Sequence, residues 1–536
     1  LKKEVLPTFR FFAAQSASER AEYLTLTEPI VRGCVAQLEA EGIKVLDWNF
    51  GPLASVEFEG DPRKLPKEIL DQFEVIGNAE TPMQALGNFS PGFVESLAKP
   101  TPGYYATIRQ SLPRIGMDKV WADSEWDGGS SLIFCILDTG LDDIYYVDPP
   151  YPNHPEGAWY FSGRIIEHWQ AYPWGGSKHY HCRICLAVIM KARHEYEGEV
   201  WQGGMPKARA YVAQVLDSRG QGTSGTVRAG FEWGLSRDPL PMIFSVSLGG
   251  DHDPVLDACI ARCWEMGIPV AVASGNNGVF PPACNGRINC PADAEENLAV
   301  GATDGGYEQP GQPEMAQTWV ARNKRKDGTV QKHFLSAPGV RIQVEMGEPA
   351  ATGTSLAAPH AALVLGVIFY YLMRKPLACW TFPELAARAR DIIEQTCLGL
   401  GYEKDPQYIN PDPNAPLWDQ PHYCIQGHGR IDAEAAMKLA KEGPTEEKIT
   451  LKLDGVKIHE WDYKGAGTYP YQVETSGLEA PKIYTLRVDL PNKEFAEIQV
   501  DLYKEEEQPL KPRFNKPKPE EAFKKGDPIP VEVIVE

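Results

Sequence analysis

The sequence predicts an α/β protein built on a doubly wound parallel sheet, with an N-terminal α+β domain and a C-terminal all-β domain. Three observations carry this. At 536 residues the chain is too long for one ordinary core. Its 43% hydrophobic and 24% charged residues are those of a globular protein. Between about Tyr104 and Glu442, apolar runs ("SSLIFCILD", "ARAYVAQVLD", "PMIFSVSL", "IPVAVASG", "NLAVGATD") alternate with helical stretches. Such runs are strands buried on both faces and joined by covering helices.

Taken in order, residues 1–80 predict a small α+β unit. "TFRFFA" is a short strand, and Thr27 to Glu41 an amphipathic helix stopped by Gly42. "IKVLDWNF" and "LASVEFEG" pair across a Gly-Pro turn, "LPKEILDQF" is a second helix, and "EVIGNAE" a last strand. That βαββαβ order is ferredoxin-like. The Pro/Gly/Ser-rich residues 81–103 follow as a linker, and 104–442 hold the parallel sheet. Residues 443–536 carry strand-like pieces such as "KITLKLDG" and "KIYTLRVDL" around a charged, Pro-rich span.

A net charge of −20 disfavours a nucleic-acid partner, because phosphate binding needs a basic surface. No run of eighteen apolar residues occurs; the longest stretch, Ala361 to Met373, predicts a buried core helix rather than a membrane span. Eleven cysteines leave at least one thiol unpaired within the chain. Cys182 and Cys185 form half of a zinc motif, and Cys284 with Cys290 brackets a loop that suits a disulfide. The first residues lack an apolar segment of signal-peptide length.

The chemistry concentrates in "ATGTSLAAPHAALVLGVI". Small residues bracket Ser355 where a long apolar helix starts, so its hydroxyl is accessible at the positive end of the dipole. A helix cap alone needs only one such residue. The G-x-S-x-G elbow is not matched, since Ala357 stands at its second glycine.

"GTSLAAPH" resembles the serine motif of the subtilisin-like serine proteases, the subtilases, G-T-S-x-A-x-P-H. Further segments follow that family's order. "IFCILDTGLDD" is similar to the strand ending in D-[ST]-G, with Asp138 in the acid position. "VAVASGNNG" resembles the segment that places Asn276 in an oxyanion hole. "SVSLGG" resembles the strand lining the specificity pocket, with Ser247, Leu248 and Gly249. "SRGQGTSGT" resembles the opposite edge of the substrate cleft, with Gly222 and Gly225 suited to close approach. The similarity spans about 115–440.

The resemblance implies a serine endopeptidase acting through an acyl-enzyme. Ser355 would be the nucleophile, a histidine its base, and Asp138 the group orienting the imidazole. Asn276 and the Ser355 N–H would bind the oxyanion. The substrate is a peptide or protein, paired as an added strand. A secreted or extracellular location and a proform are implied as well: residues 8–80 resemble the inhibitor-type propeptide by pattern and place, and would contact the catalytic domain. No cofactor is marked with certainty. Calcium is frequent in the family, and "DTGLDD" with "YYVDPP" offers acidic oxygens.

The base must be His179 or His181. In the family pattern H-G-T-x-[VC]-A-G, His181 puts Cys185 four residues on and the apolar run "ICLAVIM" in register. Choosing His179 would rotate that apolar face by about 200°. The Gly-Thr pair is replaced by Cys182 and Arg183, which fill space and set a fixed positive charge near the imidazole. Two alternatives follow: a peptide ligase or macrocyclase on the same acyl-enzyme, and a pseudoprotease that binds peptide without turnover.

Overall fold

A computed structural model describes residues 17–49, 55–59, 65–73, 82–85, 106–142, 160–171 without 162, 179–276 without 197, 288–305, 314, 316, 320–321, 325–345, 350–374, 382–400 and 426–442. Towards the C-terminus it describes 448–462 without 455, 467–473, 482–489, 495–503, 521–524 and 529–535.

At the N-terminus, helix α1 (Ala17–Ala40) leads into strands β1 (Lys44–Asn49) and β2 (Ser55–Glu59), an antiparallel pair, and helix α2 (Lys67–Gln72). α1 starts ten residues before the helix read from sequence and ends where Gly42 predicts. Gly42 adopts φ +74°; its N–H donates to the Glu39 carbonyl and the Ile43 N–H to that of Leu38. This is a Schellman cap, which needs a residue that tolerates the left-handed region. Val31, Cys34 and Leu38 on one face of α1 pack with Leu65, Ile69 and Phe73 into a small core. The expected first and last strands, "TFRFFA" and "EVIGNAE", lie outside the described residues.

Residues 82–85, expected at the head of a linker, form strand β3 (Pro82–Ala85). Their surroundings explain it: β3 gains backbone partners on both sides, as described below.

The central region holds a seven-stranded, wholly parallel sheet. In chain order its elements begin with β4 (Ile133–Asp138), β5 (Ile165–Gln170), helix α3 (His181–Met190) and β6 (Arg209–Gln214). A short strand β7 (Gln221–Thr223) and helix α4 (Ser224–Leu235) lead to β8 (Ile243–Val246), followed by a second short strand, β9 (Leu248–Gly250). Helix α5 (Pro254–Glu265), β10 (Val270–Ala273), β11 (Leu298–Thr303) and β12 (Phe334–Pro338) complete the sheet. Helices α6 (Thr354–Leu372), α7 (Phe382–Gln395) and α8 (Ala433–Glu442) follow. The order across the sheet is β12-β11-β10-β8-β4-β6-β5. Every residue of β4, β8, β10 and β11 is buried, as their uninterrupted apolar runs require.

All nineteen residues of α6 are buried. By length and composition this helix is apolar enough to cross a membrane, yet it lies wholly inside the fold as the core helix expected from sequence. The first strand, β4, lies between β6 and β8, so the winding direction reverses between β4 and β8. Ligands in such sheets bind beyond the carboxyl ends of the strands at this switch point.

The C-terminal residues form a separate compact unit. Among the described residues it consists of strands β13 (Lys448–Leu453), β14 (Val456–Asp462), β15 (Gly467–Val473), β16 (Lys482–Asp489), β17 (Phe495–Tyr503), β18 (Glu521–Lys524) and β19 (Ile529–Val535). The first sheet runs β14-β13-β16-β17-β18, and β15 pairs with β19.

Candidate active site

Asp138 is the last residue of β4, and Ser247 directly follows the last residue of β8. The two flank the switch point. Asp138 is fully buried, and its Oδ1 accepts from the Thr139 N–H at 2.6 Å. The same oxygen lies 2.7 Å from Nδ1 of His181, which is also fully buried. A carboxylate on Nδ1 fixes the ring and leaves Nε2 for proton transfer.

His181 opens α3, as the apolar register of "ICLAVIM" requires. His179 does not reach Asp138 by a described hydrogen bond; its Nδ1 accepts from the His181 N–H at 3.3 Å. Burial, then the neighbouring His181, holds the His179 imidazole below its usual value. The structure thus puts His181 rather than His179 against the acid.

Cys182 and Arg183 each have contacts of their own beside the imidazole. The Cys182 N–H donates to Thr139 Oγ1 at 3.2 Å, and its thiol is buried and pushed up by that burial. Position 182 is ordinary helix, so no left-handed backbone demands a glycine. Arg183 turns its guanidinium over the Tyr160 ring, 5.8 Å from the centroid. A cation held there is engaged by the aromatic face.

Ser355 sits in the first turn of α6 and is fully buried. Among the described residues its Oγ has no hydrogen-bond partner, while its carbonyl oxygen has two donors: Ser247 Oγ at 2.8 Å and Cys185 Sγ at 3.2 Å. Cys185 Sγ also lies 3.9 Å from His181 Nδ1, so one side chain spans the imidazole and the serine backbone. Burial raises the Cys185 thiol well above its usual value, which keeps it protonated and a donor.

Asn276 lies just beyond β10. Its Oδ1 accepts from both the backbone N–H of Thr354 at 2.9 Å and Thr354 Oγ1 at 3.0 Å. With the oxygen so occupied, the amide NH₂ is the group left to donate beside Ser355. Thr354, one of the small residues beside Ser355, orients this amide through contacts that only the fold creates.

The two segments expected to edge a cleft, β7 and β9, are strands, and β3 lies between them. β7 pairs antiparallel with β3 through Gln221 with Gln84, Gly222 with Met83 and Thr223 with Pro82. β9 pairs antiparallel on the other side through Leu248 with Ala85, Gly249 with Gln84 and Gly250 with Met83. Gly250, which sequence reasoning missed, must be small: an added Cβ would lie 2.2 Å from the Pro82 carbonyl oxygen. Gly225 lies within the first turn of α4 and not on the edge strand.

Among the described residues, two groups of side chains have metal-donor chemistry. Asp138, His181 and Cys185 converge within 4.8 Å, but a protonated thiol is a poor ligand. His252, Asp257 and Asp293 form the second group. Of the acidic oxygens expected to suit calcium, those of Asp143 and Asp148 lie outside the described residues. Cys290, expected to suit a disulfide, is a free thiol whose Sγ accepts from the Asp253 N–H at 3.4 Å; Cys284 is outside the described residues.

An imidazole braced by a buried carboxylate, a serine at a helix start and an oriented amide make up the set that acyl transfer needs. Residues 129–374 match the model of the subtilase family. Subtilisin E of Bacillus subtilis (strain 168) is 28% identical over 301 residues, covering 54% of this chain and 68% of the relative. Thermitase of Thermoactinomyces vulgaris is 28% identical over 272 residues, 48% of this chain and 82% of its own. A subtilisin of Bacillus pumilus is 27% identical over 301 residues, 54% of this chain and 94% of its own.

Proposed function

The chain carries a subtilase-family domain and is a subtilisin-like serine endopeptidase, and from that premise we propose which residues do the chemistry and that the protein is made as a proform. Ser355 Oγ attacks the peptide carbonyl, and His181 Nε2 takes its proton and returns it to the leaving amine. Asp138 holds the imidazole and stabilises its cation. The Asn276 amide and the Ser355 N–H bind the oxyanion; water then cleaves the acyl-enzyme. Substrate lies as a strand between β7 and β9. The observation that carries this reading is the 2.7 Å contact of Asp138 with His181 in one buried cluster with Ser355.

The N-terminal α+β unit is the pro-region, and β3 its product-like end. The chain direction supports this. β3 runs from Gly250 towards Leu248, that is, towards Ser247 and the nucleophile. β3 points its carboxyl end at the nucleophile, so self-cleavage is expected just after it, at Leu86–Gly87. The C-terminal strands form an accessory domain.

A fluorophosphonate probe tests the assignment. The processed wild type should be labelled, and Ser355→Ala and His181→Ala should not. Labelling lost in His179→Ala but kept in His181→Ala would reverse the histidine assignment. Mass spectrometry of the incubated chain tests the proform: an N-terminus at Gly87, absent in Ser355→Ala, supports it. An active enzyme whose chain stays whole would sink it.

A further inference from the structure

Outside the catalytic cluster, His252, Asp257 and Asp293 each offer a ligand atom within 4.8 Å of the others. Asp293 is only 2% exposed; its Oδ2 lies 2.8 Å from His252 Nδ1. Its Oδ1 is buried with no hydrogen-bond partner among the described residues, and so is Oδ1 of Asp257. Asp257 Oδ2 lies 3.8 Å from His252 Nε2. A buried carboxylate oxygen without a donor is costly, and two in one cluster compound the charge. Arg325 is near enough for its charge to favour the Asp257 carboxylate, yet it bonds neither orphan oxygen: its Nε donates to the Asp293 backbone carbonyl at 2.8 Å, and its Nη1 lies 3.6 Å from Glu295.

We propose that His252, Asp257 and Asp293 bind one divalent metal ion of the zinc class, fastening the end of β9 to α5 and to the segment after Cys290. One imidazole with two carboxylates suits such an ion, whereas calcium takes six to eight oxygens. The placement gives the ion a task. Gly250 and Cys290 exchange backbone hydrogen bonds of 3.0 and 3.1 Å. His252 follows Gly250 by two residues and Asp293 follows Cys290 by three, so both chains leaving this bridge carry a ligand. Asp257 stands in the first turn of α5, which Asp253 caps. An ion there would hold the substrate strand in register with the loop beside it. The site is independent of which residues catalyse.

The test uses the full chain as Ser355→Ala, which the proposed mechanism leaves unable to digest itself. After chelator treatment, Zn²⁺, Mn²⁺ and Ca²⁺ are titrated calorimetrically, with thermal unfolding as a second readout. Zinc should bind stoichiometrically and raise the melting temperature. Asp293→Asn and His252→Gln should each weaken binding by about 10–100-fold or more, with unchanged circular dichroism. Cys185→Ala, which alters the other donor cluster, should leave binding intact. His252 is partly exposed, so its variant keeps the test informative if Asp293→Asn fails to fold. No zinc binding, or binding unchanged by substitution at His252, overturns the proposal; tighter binding of Ca²⁺ than of Zn²⁺ overturns the choice of ion.

Discussion

The hydroxyl of Ser247 donates to the backbone carbonyl of Ser355 at 2.8 Å. The cause lies four residues further on. Pro359 sits inside α6 and has no N–H, so the Ser355 carbonyl lacks its usual helical donor. Ser247 and, at 3.2 Å, the Cys185 thiol replace it. The strand lining the cleft, the helix bearing His181 and the helix bearing Ser355 are thereby tied at one oxygen.

Ser247→Ala should therefore act on both stability and rate. Losing the stronger donor leaves a buried carbonyl with the weaker thiol alone and should cost about 1–3 kcal/mol. Chemical denaturation in the Ser355→Ala background measures the first effect, and kcat of the processed single variant the second. Unchanged values for both would mean that the contact positions nothing.

Asn276→Leu should remove one oxyanion donor and raise the barrier by about 2.7–4 kcal/mol, seen in kcat with KM little changed. Thr354→Val should give a smaller loss. It keeps the backbone N–H that binds Asn276 Oδ1 at 2.9 Å but deletes the hydroxyl at 3.0 Å. Equal losses in the two variants would contradict an orienting role for the hydroxyl.

Gly250→Ala should separate occupancy of the cleft from folding. Its Cβ would fall 2.2 Å from the Pro82 carbonyl oxygen, a clash with β3. Self-processing should slow and the KM for peptide substrates rise, while circular dichroism stays unchanged. Normal processing in this variant would show that residues 82–85 do not need this edge.

His360 predicts a pH effect on stability. It is fully buried, its Nδ1 bonded to the Leu356 carbonyl at 2.7 Å and its Nε2 to Ser111 Oγ at 3.0 Å. Burial lowers its pKa from 6.5 to about 4. Between these values the unfolded chain binds the extra proton, so stability is full above pH 6.5 and falls as the pH drops towards 4. The loss is about 3 kcal/mol over that window. In the Ser355→Ala background, His360→Gln should flatten this part of the urea-denaturation profile; an unchanged slope would assign the effect elsewhere.

The sheet was legible because strands buried on both faces need unbroken apolar runs, as in "SLIFCILD" and "PMIFSVSL". Asp138, Asn276 and Ser355 stood out because each lies in a short motif of small residues at a strand or helix end. His181 was readable through the apolar phase of its own helix.

Contacts between segments far apart in sequence were decided by tertiary structure alone. No local pattern marks Cys185 or Ser247 as donors to a carbonyl that Pro359 leaves open, because the vacancy and its donors lie on three different elements. Residues 82–85 carry linker composition, and only two waiting strand edges make them a strand. His252 and Asp293 lie 41 positions apart and meet because the sheet brings the ends of β9 and the segment after Cys290 together. Sequence fixes what each segment prefers through its own side-chain spacing; which segments share a buried polar group is settled by packing.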